Sequence, residues 1–349
     1  MKISIGTNIK EGPWGGGNLF AINLALYLEK NGYKVVNNLL DDDIDIILIT
    51  EPRKTSESSA FTHLDVQKYI KYTKKDSLIA HRINECDERK DTKYVNKYLI
   101  EANKTSDYTI FVSQWLKDLY IQQGIGTKEK HVIYAGANKE IFNNTAFTPW
   151  DKNHKLKIVT HHWGANWNKG FETYKKIDEL LDDKLWKNKI EFMYIGNLPK
   201  GFTFNNVNVV KPLSGKELSE KIKENHLYIT GSIFEPSGNH HIEGAQCGLP
   251  VLYLNSGGTP EYCNGYGLVF DETNLEEKIF EMMSDYDEYV KKLRKYRFNS
   301  EKMCSDYESL FLKMFNNKED ILQSRSLDLK KSIIEKMYYQ YKIKKMKNV

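Results

Sequence analysis

Short apolar runs alternate with amphipathic segments twice along this chain, and that doubled alternation is its strongest constraint. The first series runs through KISIG, KVV, DIDIILIT, SLIAH, YTIFVS and VIYAG, with helical text such as LFAINLALYLEKNG and QWLKDLYIQQ between the runs. The second runs through LKIVTHH, IEFMYIG, VNVVK, LYITG, PVLYLN and GLVF, interleaved with GFETYKKIDELL, GKELSEKIKEN and HHIEGAQCG. Continuous apolar runs separated by helices predict parallel strands buried on both faces, an α/β architecture. A polar, turn-rich stretch, NNTAFTPWDKNHK, divides the two series. A chain of 349 residues exceeds what one core serves, so two doubly wound domains are expected, over 1–150 and 151–310. Text after Asp271 reads as helix, and residues 311–349 form a helical, basic tail. Open parallel sheets bind ligands at their strand C-terminal ends, so a cleft between the two domains is the expected site.

Composition narrows the setting. No run approaches the roughly 18 apolar residues of a membrane span, and MKISIGTNIK lacks a signal peptide's apolar segment, which predicts a cytoplasmic protein. Cys86, Cys247, Cys263 and Cys304 form no C-x-x-C pair, consistent with reduced thiols. The net charge of +4 is misleading, because residues 330–349 hold seven Lys against one Glu and leave −2 for the rest. A broad nucleic-acid face on the body is disfavoured, while the tail suits peripheral contact with an anionic membrane or nucleic acid. Within the tail, Ile333, Ile334, Met337, Tyr338 and Tyr341 recur at helical spacing, and this stripe is expected to pack on the protein itself.

Two places carry chemistry. Gly12, Gly15, Gly16 and Gly17 lie between the first strand and first helix, where backbone N–H groups meet a helix N-terminus and suit phosphate. The cluster matches neither G-x-G-x-x-G nor the P-loop pattern, and a simple tight turn explains it equally well. The second is FEPSGNHHIEGAQCGLPV, where Glu235 and Glu243 flank a turn holding Gly238, Asn239 and His240. Two acceptor-only side chains around a nest of N–H donors fit a nucleoside diphosphate sugar. Glu243 would take the ribose hydroxyls, Glu235 the sugar hydroxyls, and the nest the diphosphate. A helix cap with Glu243 near the positive dipole end is the plain alternative.

Glu235-x7-Glu243, then Gly248-Leu249-Pro250-Val251 and Gly257-Gly258-Thr259-Pro260-Glu261, resembles the donor-binding half of glycosyltransferase family 4, retaining enzymes of the GT-B fold. Trp14-Gly15-Gly16-Gly17 is similar to that family's N-terminal glycine loop, VIYAGANKEIF to the segment before its linker, and Lys169-Gly170 to its lysine-glycine pair. The resemblance implies two Rossmann-like doubly wound domains facing across a cleft, with C-terminal helices crossing back. It implies hexosyl or pentosyl transfer from a UDP- or GDP-linked sugar to a hydroxyl acceptor, a glycan or lipid-linked glycan, with front-face attack and retention. Lys169, Glu235 and His81 are then the catalytic candidates. Gly15, Gly16, Gly17, Gly238, Asn239, His240 and Glu243 are the donor-binding candidates.

Two departures stand out. Where many members carry an arginine shortly before the lysine, this chain reads THHWGANWNK, so His161, His162 or Asn166 is expected to supply the missing donor to phosphate. Ala135-Gly136-Ala137-Asn138 also differs, which reads as structural. His81 closes SLIAH and is expected at a strand end facing the cleft, with Arg82 and Asn84 following as candidates for acceptor hydroxyls. The pairs His161-His162 and His240-His241 offer one side chain each to any shared site, so no metal and no cofactor is expected. Asp41-Asp42-Asp43 reads as a solvated turn. The rivals are a GT-B nucleotide-sugar epimerase or hydrolase, a non-catalytic glycan-binding protein, and a glycosyltransferase that modifies DNA bases.

Overall fold

A computed structural model describes residues 1–10, 15–126, 129–327 and 332–347. Gly12, Trp14, Lys330 and Lys331 lie outside the described residues. The chain forms two compact units, one of Met1–Ile133 with Met303–Val349, the other of Tyr134–Lys302.

The first unit holds a six-stranded sheet of β1 (Lys2–Ile5), β2 (Lys34–Val36), β3 (Ile46–Ile49), β4 (Leu78–Ile83), β5 (Tyr108–Phe111) and β6 (Glu129–Val132). The order is β2-β1-β3-β4-β5-β6 and all pairings are parallel. Successive side chains on a strand point to opposite faces, and the cores follow that rule. Ile46 and Leu48 join Phe20, Leu24 and Leu28 of the helix Gly16–Lys30, while Ile47 and Ile49 pack under Val66, Tyr69 and Ile70 of the helix His63–Tyr72. A capping box between Thr62 and Asp65 starts the latter helix. The helix Ser300–Asn316 contributes Tyr307, Phe311 and Met314 to the first core, so the C-terminal helices do return to the first unit.

The second unit holds β7 (Leu156–His162), β8 (Ile190–Gly196), β9 (Asn208–Val210), β10 (Leu227–Thr230), β11 (Val251–Leu254) and β12 (Gly267–Phe270). They run parallel in the order β12-β11-β10-β7-β8-β9. Leu227 and Ile229 face one core and Tyr228 the other, so this sheet too is covered on both sides.

The unit boundaries differ from the expected 150 and 310. Past β6 the chain already belongs to the second unit, where the Ala135 N–H donates to the Tyr262 hydroxyl at 3.0 Å. The Ser300 N–H donates to the Ala137 carbonyl at 2.8 Å. Gly136 lies so close to the returning chain that a Cβ there would stand 2.2 Å from the Asn299 carbonyl, so glycine is required at this position, while nothing in the structure explains the change at Ala135 or Asn138. The polar text of 143–155 is therefore a surface loop within the second unit, where polar and turn residues are at home.

The acidic run is largely exposed, as a solvated turn would be, and Lys2 pairs with its Asp41 at 2.8 Å and Asp43 at 2.5 Å. Two further expectations change. The strand carrying His81 continues to Ile83, so His81 lies inside it rather than at its end. The helix Ile333–Lys347 seats Tyr339 against the first unit and leaves the expected stripe outside, because Glu335 and Tyr339 make the contacts with Lys71, Tyr72 and Thr73.

Candidate active site

In a doubly wound sheet the loops at the reversal of strand order splay apart and leave room for a ligand. The second sheet reverses between β7 and β10, so the loop after His162 and the loop after Thr230 flank that point. These two loops carry Asn166, Lys169, Glu235 and Gly238.

Lys169 closes a short 3-10 turn, Trp167–Lys169, that Gly170 stops in a left-handed conformation. Its ammonium lies 2.6 Å from the Glu235 carboxylate, and both side chains are largely buried. Glu235 follows Phe234, whose φ of 52° is rare for a bulky residue and costs of order 1–3 kcal/mol. That strain is held by the next loop: the Phe234 N–H donates to Ser256 Oγ at 2.9 Å and the Gly258 N–H donates to the Glu235 carbonyl at 2.9 Å. Gly257 makes the clasp possible, since a Cβ there would stand 2.6 Å from the Glu235 backbone.

Glu243 lies on the helix Asn239–Gln246, which opens one residue before the expected His240, with Gly238 as its cap at φ 66°. The Glu243 carboxylate is 2.8 Å from His161 Nε2. His161 Nδ1 in turn lies 3.0 Å from the Tyr228 hydroxyl, which also accepts the His161 N–H at 3.0 Å. A carboxylate only accepts, so Nε2 carries the proton it shares with Glu243, and in the neutral imidazole Nδ1 accepts the Tyr228 O–H. Burial holds the Tyr228 phenol far above its ordinary range, so its proton stays available for that bond.

His162 and His240 lie against each other with ring centroids 4.4 Å apart. His162 Nε2 meets the Tyr174 hydroxyl at 2.7 Å, and His240 Nε2 meets Thr230 Oγ1 at 2.8 Å. Burial drives both imidazoles well below their ordinary pKa, with the Lys169 charge adding to the effect, so both are neutral. His241 is fully buried, pushed by burial down to about 3, and neither ring nitrogen has a hydrogen bond within the described residues. Of the three candidates to replace the missing arginine, His161 and His162 are already engaged as above. Asn166 is exposed, and its amide and the Lys169 Cε both border Gly164, at 3.6 Å and 3.8 Å from where a Cβ would sit.

The remaining candidates belong to the first unit. Gly15, Gly16 and Gly17 are exposed at the start of the helix Gly16–Lys30, with open space where a side chain at Gly15 or Gly17 would lie. Asn18 braces that start, its amide exchanging two hydrogen bonds with the Lys10 backbone at 2.9 Å and 2.8 Å. His81 is fully buried and meets the Asn103 amide at 3.1 Å, in the packing between β4 and the helix Val95–Asn103. Desolvation lowers its pKa to about 3. Arg82 is buried on the opposite face with its guanidinium 4.0 Å from the centre of the Phe20 ring, and Asn84 is half-buried just past the strand end. Tyr228, Tyr174 and Asn18 were not foreseen, because each acts through a partner distant in sequence and no local motif marks it. Cys247 is a buried packing thiol, raised by burial to about 11.

Residues 203–302 match the family model Glycosyl transferases group 1. The group 1 match takes in Glu235, Gly238, Asn239, His240 and Glu243, and stops short of Lys169 and the first unit. No curated protein matches the sequence. Among solved structures, a glycosyltransferase from Rickettsia africae is 15% identical, with a TM-score of 0.65 over 90% of this chain and 99% of that one. Anabaena HepE, solved with UDP and glucose, is 15% identical with a TM-score of 0.58 over 93% and 97%. An alpha-glucosyltransferase solved with UDP and a 13-mer DNA containing an HMU base is 14% identical, with a TM-score of 0.58 over 93% and 100%. These likenesses establish the α/β fold of GT-B structures, two parallel six-stranded sheets with flanking helices, and the group 1 match falls within the second unit.

Proposed function

We propose that the protein is a retaining glycosyltransferase of the family 4 kind, moving a sugar from a UDP- or GDP-linked donor to a hydroxyl on a glycan or lipid-linked glycan. The observation that carries the reading is the pair of carboxylate–base contacts, Lys169–Glu235 and His161–Glu243, at the strand-order reversal of a group 1 domain. Glu243, steadied through one oxygen by His161, takes the ribose diol. Glu235 takes sugar hydroxyls, and its grip on Lys169 keeps an ammonium beside the Gly238, Asn239 and His240 backbone, where the diphosphate would lie. As the sugar–phosphate bond breaks, negative charge grows on the leaving diphosphate, and a fixed cation with preset N–H donors lowers that barrier without reorganising. Asn166 adds a neutral donor beside Lys169 in place of the family's arginine. A phosphate oxygen of the leaving group takes the acceptor proton, so Glu235 needs no base role.

The reaction is proposed to run without a metal or cofactor, with Lys169 supplying the positive charge; full activity in EDTA is expected, and recovery on added manganese after a loss would overturn this. The deciding experiment is nucleotide release from UDP-, GDP- and ADP-sugars with and without acceptor pools, with the product's anomeric configuration read by NMR. Release only with acceptor and a retained configuration support the proposal. Donor turnover without acceptor favours an epimerase or hydrolase, and no release favours a binding protein. The DNA-bound alpha-glucosyltransferase among the structural neighbours motivates one second reading, transfer to a DNA base. Steep loss of DNA binding with salt and glycosylated bases in the product would favour it.

A further inference from the structure

The expected seat of the tail stripe is wrong in an informative way. Glu335, Tyr339 and Ile343, spaced four apart, mark the face of the helix Ile333–Lys347 that meets the first unit, through Lys71 at 2.6 Å, Tyr72 and Thr73. Ile334, Met337 and Tyr341 recur at three- and four-residue spacing on the opposite face, with Ile333 and Tyr338 at its edges. These five side chains are 66–81% exposed. Lys345 continues the same face one turn on, four residues after Tyr341, and Lys344, seven after Met337, stands at its edge, where its other side borders the hollow against Leu39 and Thr73; both are exposed. The helix thus has two apolar aspects, and the protein's own surface covers only one.

We propose that this outer face docks the protein on an anionic lipid surface. Anionic headgroups take Lys344 and Lys345, whose long stems let their ammonium groups reach the interface while Ile334, Met337 and Tyr341 enter the acyl boundary. Nucleic acid would satisfy the lysines and leave five large apolar side chains in water. A second copy packed stripe to stripe about a two-fold axis would bring like-charged helices together. Among the described residues no helix is long and apolar enough to cross a membrane, so the attachment is lateral and reversible. The contacts of this helix, at the end of the helix His63–Tyr72 that leads into β4, put it at the strand N-terminal edge of the first sheet, away from the strand C-terminal ends. Docking is therefore independent of the glycosyltransfer reading.

Flotation of the full chain with vesicles of phosphatidylcholine alone, or mixed with phosphatidylglycerol, tests the proposal. The parent is expected to float with the anionic vesicles only. A triple variant, Ile334→Ser with Met337→Ser and Tyr341→Ser, should weaken binding by at least about tenfold, and Lys344→Gln with Lys345→Gln by less. Because all five positions are already exposed, both variants should keep the parent's melting temperature and its activity on a soluble acceptor. Failure of the parent to bind anionic vesicles, or undiminished binding by the triple variant, overturns the proposal. A parent that is dimeric by light scattering, with a triple variant that is monomeric and equally bound to vesicles, would assign the stripe to a second copy instead.

Discussion

β4 and β7 invite comparison, because the text of each run stops on histidine: SLIAH in the first unit, LKIVTHH in the second. In β7 the histidines are the last strand residues, and His161 reaches across to a carboxylate on a helix that starts at the reversal of strand order. In β4 the strand runs two residues further, and His81 is turned into the packing layer against Asn103. The residue type is the same, and position relative to the true strand end separates a histidine paired with a carboxylate at the reversal of strand order from one held in a packing layer. Burial makes the same point electrically. It keeps the His81, His162, His240 and His241 imidazoles neutral, while the largely buried Lys169 of the second unit has a carboxylate in direct contact.

Variants at Lys169 and His81 put most strain on this contrast. Lys169→Ala should lower kcat by about 10²–10³ with a smaller change in KM, the size expected for losing one preset electrostatic donor to a developing anion. His81→Ala should leave kcat within about threefold while lowering stability by roughly 1–3 kcal/mol for a lost buried contact. Steady-state kinetics with thermal melts reads both. If the His81 variant loses turnover with its melting temperature intact, the strand-end argument fails and His81 returns to the sugar.

Next in size is the His161–Glu243 pair. Glu243→Ala should weaken nucleoside diphosphate binding by about 1.5–3 kcal/mol, the worth of hydrogen bonds to a charged group. His161→Ala should cost less in affinity but blunt the preference for the ribonucleotide over its 2′-deoxy analogue, with His161→Gln restoring part of it through an amide donor. Calorimetry with both nucleotides decides. Equal losses for the two nucleotides in every variant would remove Glu243 from the ribose and return it to the helix-cap reading.

Acidification sharpens the comparison further. His81, His162, His240 and His241 all have depressed pKa values in the folded chain. Below the ordinary imidazole value near 6.5 the unfolded chain takes up protons that the folded chain refuses. Stability is therefore full above that pH and should fall by up to about 1.4 kcal/mol per group per pH unit beneath it. Urea midpoints between pH 7.5 and 5.5 measure the slope, and a flat profile would show that these rings are protonated in the native state. The smallest expected effect is Tyr228→Phe, which removes only the hydroxyl behind His161 and should shift nucleotide affinity by about 0.5–1.5 kcal/mol.

Most of the architecture was readable in the sequence because parallel strands buried on both faces leave uninterrupted apolar text, and every expected run contains a strand or part of one; VIYAG shares only Val132 with β6, and its glycine belongs to the second unit. Glu235 and Glu243 were legible from one local loop. The contacts that hold Glu243 were not, since His161 lies 82 residues from Glu243 and Tyr228 lies 67 residues from His161. The tail stripe was misjudged because helical spacing shows that a face is apolar without showing which face the body covers. Tyr339, the one residue that settled it, has no distinguishing neighbour in the text.

The paired crossing at Ala137 and Ser300 has a consequence for how the protein is made. The second unit is a continuous stretch, Tyr134–Lys302, inserted into the first. A ribosome releases the whole of it before Tyr307, Phe311 and Met314, which complete the core over β1, β3, β4 and β5, have emerged. Domains generally fold as units as they are synthesised, so the N-terminal portion matures last here, its sheet lacking part of its cover while a full independent domain forms downstream. Chaperone dependence during synthesis should therefore track the first unit, and a fragment of residues 134–302 should fold without it.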